Sequence, residues 1–128
     1  MMKIIAFSIF VEDQDIAQEV YTDRLGFELK HNIDMGGPKW LTVVEKNSNN
    51  PVEIVLEPND NPIAREYQEK LYNSNIPVTM FGVDDIEETY THLKSKGIEF
   101  KTKPKQVEDM KLAVFDDQCG NLLQIIEN

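Results

Sequence analysis

The alternation of apolar and polar residues predicts a strand, a helix and three strands in the first half of the chain. Either Asp13 or Asp15 can cap the helix. Asp15 and Gln18 have the spacing of a capping box. Gly26 stands where a helix often ends in a left-handed residue. The predicted elements are strands at about 3–11, 27–33, 39–46 and 51–57 and a helix at about 15–25.

The same order of elements returns in the second half. Val83 matches Val11, Leu112 matches Leu41, and matched residues stand 70 to 72 positions apart along the whole module. A separate helix, for which Asn61 is a suitable cap, precedes the repeat. The predicted elements of this half are strands at about 77–83, 98–102, 109–116 and 121–127, with a helix between the first two.

Two βαβββ modules predict a single α+β domain over residues 1–128. Module one covers about 1–57, a linker helix about 58–76, and module two about 77–128. One module alone leaves a sheet face uncovered, whereas two can curl their mixed sheets into a cleft with helices outside. We expect the ligand site in that cleft.

The net charge and the single cysteine limit the possible partners and indicate a cellular compartment. A formal net charge of -10 argues against nucleic acid and anionic membranes as partners. The charge can serve solubility alone, or it can attract a cationic organic ligand. The single cysteine, Cys119, fits a reducing cytoplasm, and its closing-turn position favours a bystander role. The apolar start is too short for a signal peptide, and no run is long enough to span a bilayer.

Several segments together resemble the vicinal-oxygen-chelate family of glyoxalase, bleomycin-resistance and extradiol dioxygenase proteins. Residues 9–15 and 25–27 resemble the family's first strand and helix, and 83–86 with 97–100 repeat that motif. Residues 115–125 resemble its closing aspartate and glycine-asparagine hairpin. The resemblance implies the two-module fold, pairing into a homodimer, and a small-molecule ligand.

The resemblance also implies four positions that hold a divalent metal in the family's enzymes. In this chain they are Ala6, Glu53, Val78 and Gln124. Aliphatic side chains cannot bind a metal, and a neutral amide is a poor ligand beside carboxylate or imidazole. We therefore expect no metal and no other cofactor.

The ligand-binding residues are expected from strand alternation around these positions. Glu53 is either a general base or counter-ion or a solvated carboxylate. Trp40 and Phe115 can stack on a planar ligand or pack in the core. His31 is either a hydrogen-bonded strand residue or a group at the rim of the cleft. The expected set is Ser8, Phe10, Trp40, Glu53, Val78, Met80, Phe115 and Gln124.

Three functions remain open. The first is metal-free binding of a small organic ligand, which can be cationic, in a cleft formed across a homodimer. The second is an enzyme, either a lactoylglutathione-lyase or dioxygenase type with a reduced or altered metal site or a metal-free acid–base catalyst that uses Glu53. The third is a dimeric scaffold without a ligand.

Overall fold

A computed structural model describes residues 1–128 and confirms the α+β fold with a strand, a helix and three strands in each half. Contacts within the chain divide it into two compact units, Met1–Glu66 and Tyr67–Asn128. The elements are β1 (Ala6–Val11), α1 (Gln14–Glu19), β2 (Glu28–Asp34), β3 (Lys39–Val44), β4 (Glu53–Pro58), α2 (Pro62–Asn73), β5 (Thr79–Val83), α3 (Ile86–Ser95), β6 (Lys105–Val107), β7 (Met110–Asp116) and β8 (Leu122–Glu127). No helix is both long and apolar enough to cross a membrane.

Unit 1 contains one four-stranded sheet with the order β1-β4-β3-β2. β1 runs parallel to β4, and the other neighbours are antiparallel. Alternate residues of each strand point to the same face of the sheet. One face packs against α1, and the opposite face does not. The core on the helix side consists of Ile9, Val11, Ala17, Val20, Tyr21, Leu41, Val43, Ile54 and Leu56.

Of the two residues predicted to cap α1, the structure shows Asp13 in that role. Asp13 caps the helix by accepting hydrogen bonds from the backbone N–H groups of Asp15 and Ile16. Asp15 does not cap; its carboxylate pairs with the Lys39 ammonium group. Gln14 donates to the carbonyls of Lys39 and Leu56, each at 2.9 Å, and accepts from the Lys39 N–H. One side chain thus ties the helix to two strands.

The predicted helix and the predicted first hairpin are both irregular. The helix changes to π-helical geometry over Val20–Arg24, with the Leu25 N–H bonded to the Val20 carbonyl. In the hairpin, a bulge lies between Leu29 and His31. Leu29 therefore opposes Val43 on the helix side, whereas His31 opposes Thr42 on the other face.

Unit 2 repeats the architecture, with the sheet order β5-β8-β7-β6 and β5 parallel to β8. Phe100 links the helix to the sheet, since its ring lies 4.6 Å from Tyr90 and 5.4 Å from Phe115. The buried side chains on the helix side are Ile86, Leu93, Ile98, Ala113, Phe115, Leu123 and Ile125.

The strand predicted at about 98–102 is wrong. That stretch makes only an isolated bridge between Phe100 and Phe115, and the edge strand is β6, three residues long. The N–H groups of Lys101 and Thr102 both point to the Val114 carbonyl, and the Thr102 hydroxyl accepts the Val114 N–H. These bonds replace a regular ladder, because two neighbouring donors on one acceptor break the alternation of a strand.

The turn between β7 and β8 is built around a buried carboxylate. Asp117 accepts from the backbone N–H groups of Cys119 at 2.7 Å and Asn121 at 3.0 Å, and from the Asn121 side-chain amide at 2.8 Å. Gln68 of α2 donates to the Cys119 carbonyl and to Asn121 Oδ1. A buried carboxylate is stable here because several donors surround it.

Candidate functional site

The face of the unit 1 sheet opposite α1 carries four of the eight residues expected to bind a ligand, namely Ser8, Phe10, Trp40 and Glu53. We call it the Glu53 face, and it is defined by pairing register, because directly opposed residues share a face. Ser8 opposes Val55, and Ala6 opposes Glu53. The members of the Glu53 face are Ala6, Ser8, Phe10, His31, Ile33, Trp40, Thr42, Val44, Glu53, Val55 and Glu57.

Two polar atoms at the centre of this face are buried without a hydrogen-bond partner. They are Thr42 Oγ1 and Glu53 Oε1. Thr42 is 0% exposed, and its neighbour across the ladder is His31. His31 Nε2 lies 3.7 Å from Glu53 Oε1, which is longer than a hydrogen bond. Most buried polar groups in proteins are satisfied, so two adjacent exceptions mark this place as a candidate binding site.

Large apolar side chains lie beside this polar centre and face the solvent. Trp40 is 42% exposed and opposes Ile33, which is 50% exposed. They are the next residues on the same face after Thr42 and His31, since side chains alternate along a strand. An exposed aromatic and aliphatic surface next to a few polar groups is the usual composition of a small-molecule site.

In unit 2, the corresponding face of the sheet carries Gln124, Met80 and Val114. Gln124 opposes both Met80 on β5 and Val114 on β7, and Met80 is exposed. Val78 precedes β5 and donates its N–H to the Leu122 carbonyl. The register therefore pairs Gln124 with Met80, whereas in unit 1 Glu53 pairs with Ala6. The sequence repeat had matched Ala6 to Val78.

Phe115 does not lie with the other expected ligand residues of its unit. It is 1% exposed and opposes Leu123 on the helix side of the sheet. The sequence left open whether Phe115 stacks on a ligand or packs in the core. The structure shows core packing, because the ring lies between α3 and the sheet. Cys119 is also buried, in the turn described above.

The side chains present do not fit the divalent metal that the family resemblance implies. No group of three or more His, Cys, Asp or Glu side chains lies close enough to hold an ion. Near Glu53, His31 is the one other side chain that can bind a metal, and the neighbouring Ala6 has no metal-binding atom in its side chain. A zinc-type site needs at least three protein ligands.

A concave region of about 440 Å³ lies at the loop between β3 and β4. Its walls are mostly polar and exposed loop residues, such as Asn47, Ser48 and Asn49. Ligand pockets are predominantly apolar, so we place the candidate site on the Glu53 face instead.

The sequence did not identify Thr42. A threonine in a strand is ordinary, and nothing in the sequence shows that its hydroxyl is buried without a partner. The available signal was its phase, because Thr42 follows Trp40 by two residues and therefore shares its face.

Comparisons with known proteins agree with the fold and with the expected family. The family model described as Glyoxalase/Bleomycin resistance protein/Dioxygenase superfamily matches residues 3–125. YurT of Bacillus subtilis (strain 168), which is described as uncharacterized, is 48% identical over 98% of this chain and 99% of its own length.

Solved structures with similar folds include UcmS2 and TnmS3. UcmS2 has a TM-score of 0.84 and 29% identity, with 98% of both chains covered. TnmS3, described as an antibiotic binding protein from Streptomyces sp. CB03234, has a TM-score of 0.77 and 22% identity, over 99% of this chain and 96% of that one. At the latter identity, the likeness shows the fold alone.

Proposed function

This chain belongs to the Glyoxalase/Bleomycin resistance protein/Dioxygenase superfamily, and on that premise we propose that it binds a small organic ligand on the Glu53 face without a resident metal ion. The fold hosts both enzymes and binding proteins, so the function has to be argued from the site. The donor set on this face does not fit a metal, which favours binding over the metal-dependent reactions.

The observation that carries the proposal is the pairing of Trp40 and Ile33 next to the Thr42–His31 pair on the Glu53 face. Both side chains are large, apolar and about half exposed, although they lie on a sheet face next to a fully buried threonine. Burying such a ring and chain against a ligand is favourable by about 25 cal/mol for each Å² of apolar surface. A planar ligand can stack on the Trp40 indole, and Ser8 and Phe10 line the same face on β1.

The character of the ligand follows from the charges. The protein has a formal net charge of -10, and two carboxylates, Glu53 and Glu57, lie on the same face as the apolar pair. A cationic ligand is therefore favoured over an anionic one.

We also propose that two copies of the chain pair. Ile4 and Ile5 are strongly exposed and directly precede β1, and Phe7 within β1 is partly exposed; β1 is an edge strand of its sheet. Exposed apolar residues beside a free sheet edge favour pairing with a second chain. Light scattering that gives twice the 14.8 kDa chain mass is the expected result, and a monomer at all concentrations contradicts it.

The proposal is tested by the fluorescence of Trp40, which is the only tryptophan in the chain. Chelator-treated protein is titrated with a library of small aromatic and cationic compounds. We expect a saturable change in Trp40 emission that Ile33→Ala weakens and that Ile63→Ala, an exposed control on α2, leaves unchanged. If binding appears only after a divalent metal is added back, metal-free binding is wrong.

A second candidate function is metal-free acid–base catalysis by Glu53. The observation that favours it is the proximity of His31, which gives the face a carboxylate and an imidazole 3.7 Å apart. Glu53→Gln separates the two functions. In an enzyme, it abolishes turnover of a bound compound, whereas in a binding protein no turnover is seen with either form.

A further inference from the structure

The polar centre of the Glu53 face offers hydrogen-bond acceptors that the protein leaves unused. Thr42 Oγ1 and Glu53 Oε1 are both buried and unpartnered. The protein gains nothing from this arrangement in the free state, because a buried polar group without a partner lowers stability. A ligand that brings donors to these atoms recovers that lost free energy.

The three groups at this centre belong to adjacent strands. His31 on β2 opposes Thr42 on β3, and Thr42 opposes Val55, two residues from Glu53 on β4. His31 Nε2 and Glu53 Oε1 are 3.7 Å apart, so neither satisfies the other. One nitrogen can lie at a hydrogen-bond distance of about 2.9 Å from both atoms at once.

From this cluster we infer that the site holds a protonated primary amine, and that Thr42 determines this specificity; the inference rests on the proposed binding function. A primary ammonium group has three N–H donors. The Glu53 carboxylate, the Thr42 hydroxyl and the His31 imidazole in its neutral Nδ1–H form are three acceptors. A quaternary ammonium group has the charge but no donor, and an alcohol has only one donor.

The spacing along β3 adds a second requirement. Trp40 precedes Thr42 by two residues on the same face, a distance of about 6.6 Å along a strand. A ring stacked on Trp40 with a two-carbon arm brings an amine to the cluster. The side chains of His31 and Trp40 are partly exposed, so they can shift to admit the amine to the buried hydroxyl while they stay in contact with the ligand.

Three probes that share the phenylethyl arm separate the requirements: 2-phenylethylamine, 2-phenylethanol and (2-phenylethyl)trimethylammonium. Calorimetric titration of the full chain at neutral pH is expected to show the amine binding about tenfold more tightly than either analogue, since charge-assisted hydrogen bonds are the strong ones. An amine that binds no better than the trimethylammonium compound overturns the donor requirement, while leaving ligand binding on this face intact.

Two variants test the residues. Thr42→Val is expected to weaken amine binding about fivefold while leaving the protein folded, and Glu53→Gln about tenfold or more. Thr22→Val, in which the lost hydroxyl lies away from this face, serves as the matched control and leaves amine binding unchanged. Equal affinities in Thr42→Val and the wild type contradict the role of Thr42. If no probe binds at millimolar concentration, the inference is wrong, and the Trp40 library titration then decides the proposed function separately.

Discussion

Replacement of Thr42 by valine is expected to stabilise the free protein. The two side chains have nearly the same shape, so the change removes a buried, unpartnered hydroxyl without creating a cavity. Burial of such a hydroxyl costs about 1–3 kcal/mol in protein mutational data, and the added methyl group gains a little apolar burial. We expect the free energy of unfolding to rise by about 1–2 kcal/mol, or the Tm by about 4–8 °C.

Urea unfolding followed by circular dichroism measures this change without relying on the emission of nearby Trp40. The matched control is Thr22→Val, because the Thr22 hydroxyl donates to the Gln18 carbonyl at 2.7 Å. That variant is expected to lose about 0.5–1 kcal/mol through the broken hydrogen bond. If Thr42→Val destabilises the protein by 1 kcal/mol or more, the hydroxyl has a partner and the argument for a ligand at this position fails.

Three further predictions concern hydrogen bonds that stabilise the fold of each unit. Asp117→Ala removes the acceptor of two buried N–H groups and is expected to cost about 3 kcal/mol, whereas Asp117→Asn, which keeps one acceptor oxygen, costs about half as much in the same urea assay. The hydrogen bond to Asp116 raises the pKa of Tyr72 from 10.0 to about 12. The contribution of this bond to the free energy of unfolding is therefore complete below pH 10 and lost as the pH rises through 12. Tyr72→Phe should remove that fall in stability, and an unchanged pH profile contradicts the assignment. Asp13→Ala is expected to cost about 1 kcal/mol and Asp15→Ala less, as measured by thermal unfolding, since only the former caps α1; equal losses argue against that difference.

The order of elements could be predicted from the sequence because it depends on local patterns. Asp85 caps α3 as its spacing with Glu88 indicated, and Asn61 accepts the Ile63 N–H at the start of α2. Such signals act within one turn of a helix and do not depend on distant residues. The duplicated pattern therefore predicted both modules and the family.

Features that depend on pairing between strands could not be predicted. The bulge between Leu29 and His31 turns these residues to opposite faces, although they alternate in phase in the sequence. Its presence depends on how β2 aligns with β3, which no single strand encodes. The same holds for β6, which is short and exposed, and for Gln14, whose partners are 25 and 42 residues away.

The candidate site was predicted only in part, for the same reason. Glu53 was found because it stands at one of the four positions that the family resemblance implies, and Trp40 because its ring can stack on a planar ligand. Thr42 and the placement of His31 emerged only from the register of three strands. Unsatisfied burial is a property of the folded chain, and proteins often keep such a cost at functional sites.

The most direct test of ligand binding on the Glu53 face is an amide chemical-shift titration of the labelled, chelator-treated protein with 2-phenylethylamine. We expect saturable shifts at His31, Trp40, Thr42 and Glu53 on the three adjacent strands, including the indole N–H of Trp40, with Asp117 in the buried turn between β7 and β8 unaffected. Shifts confined to the β3–β4 loop, or absent from the Glu53 face altogether, would contradict it.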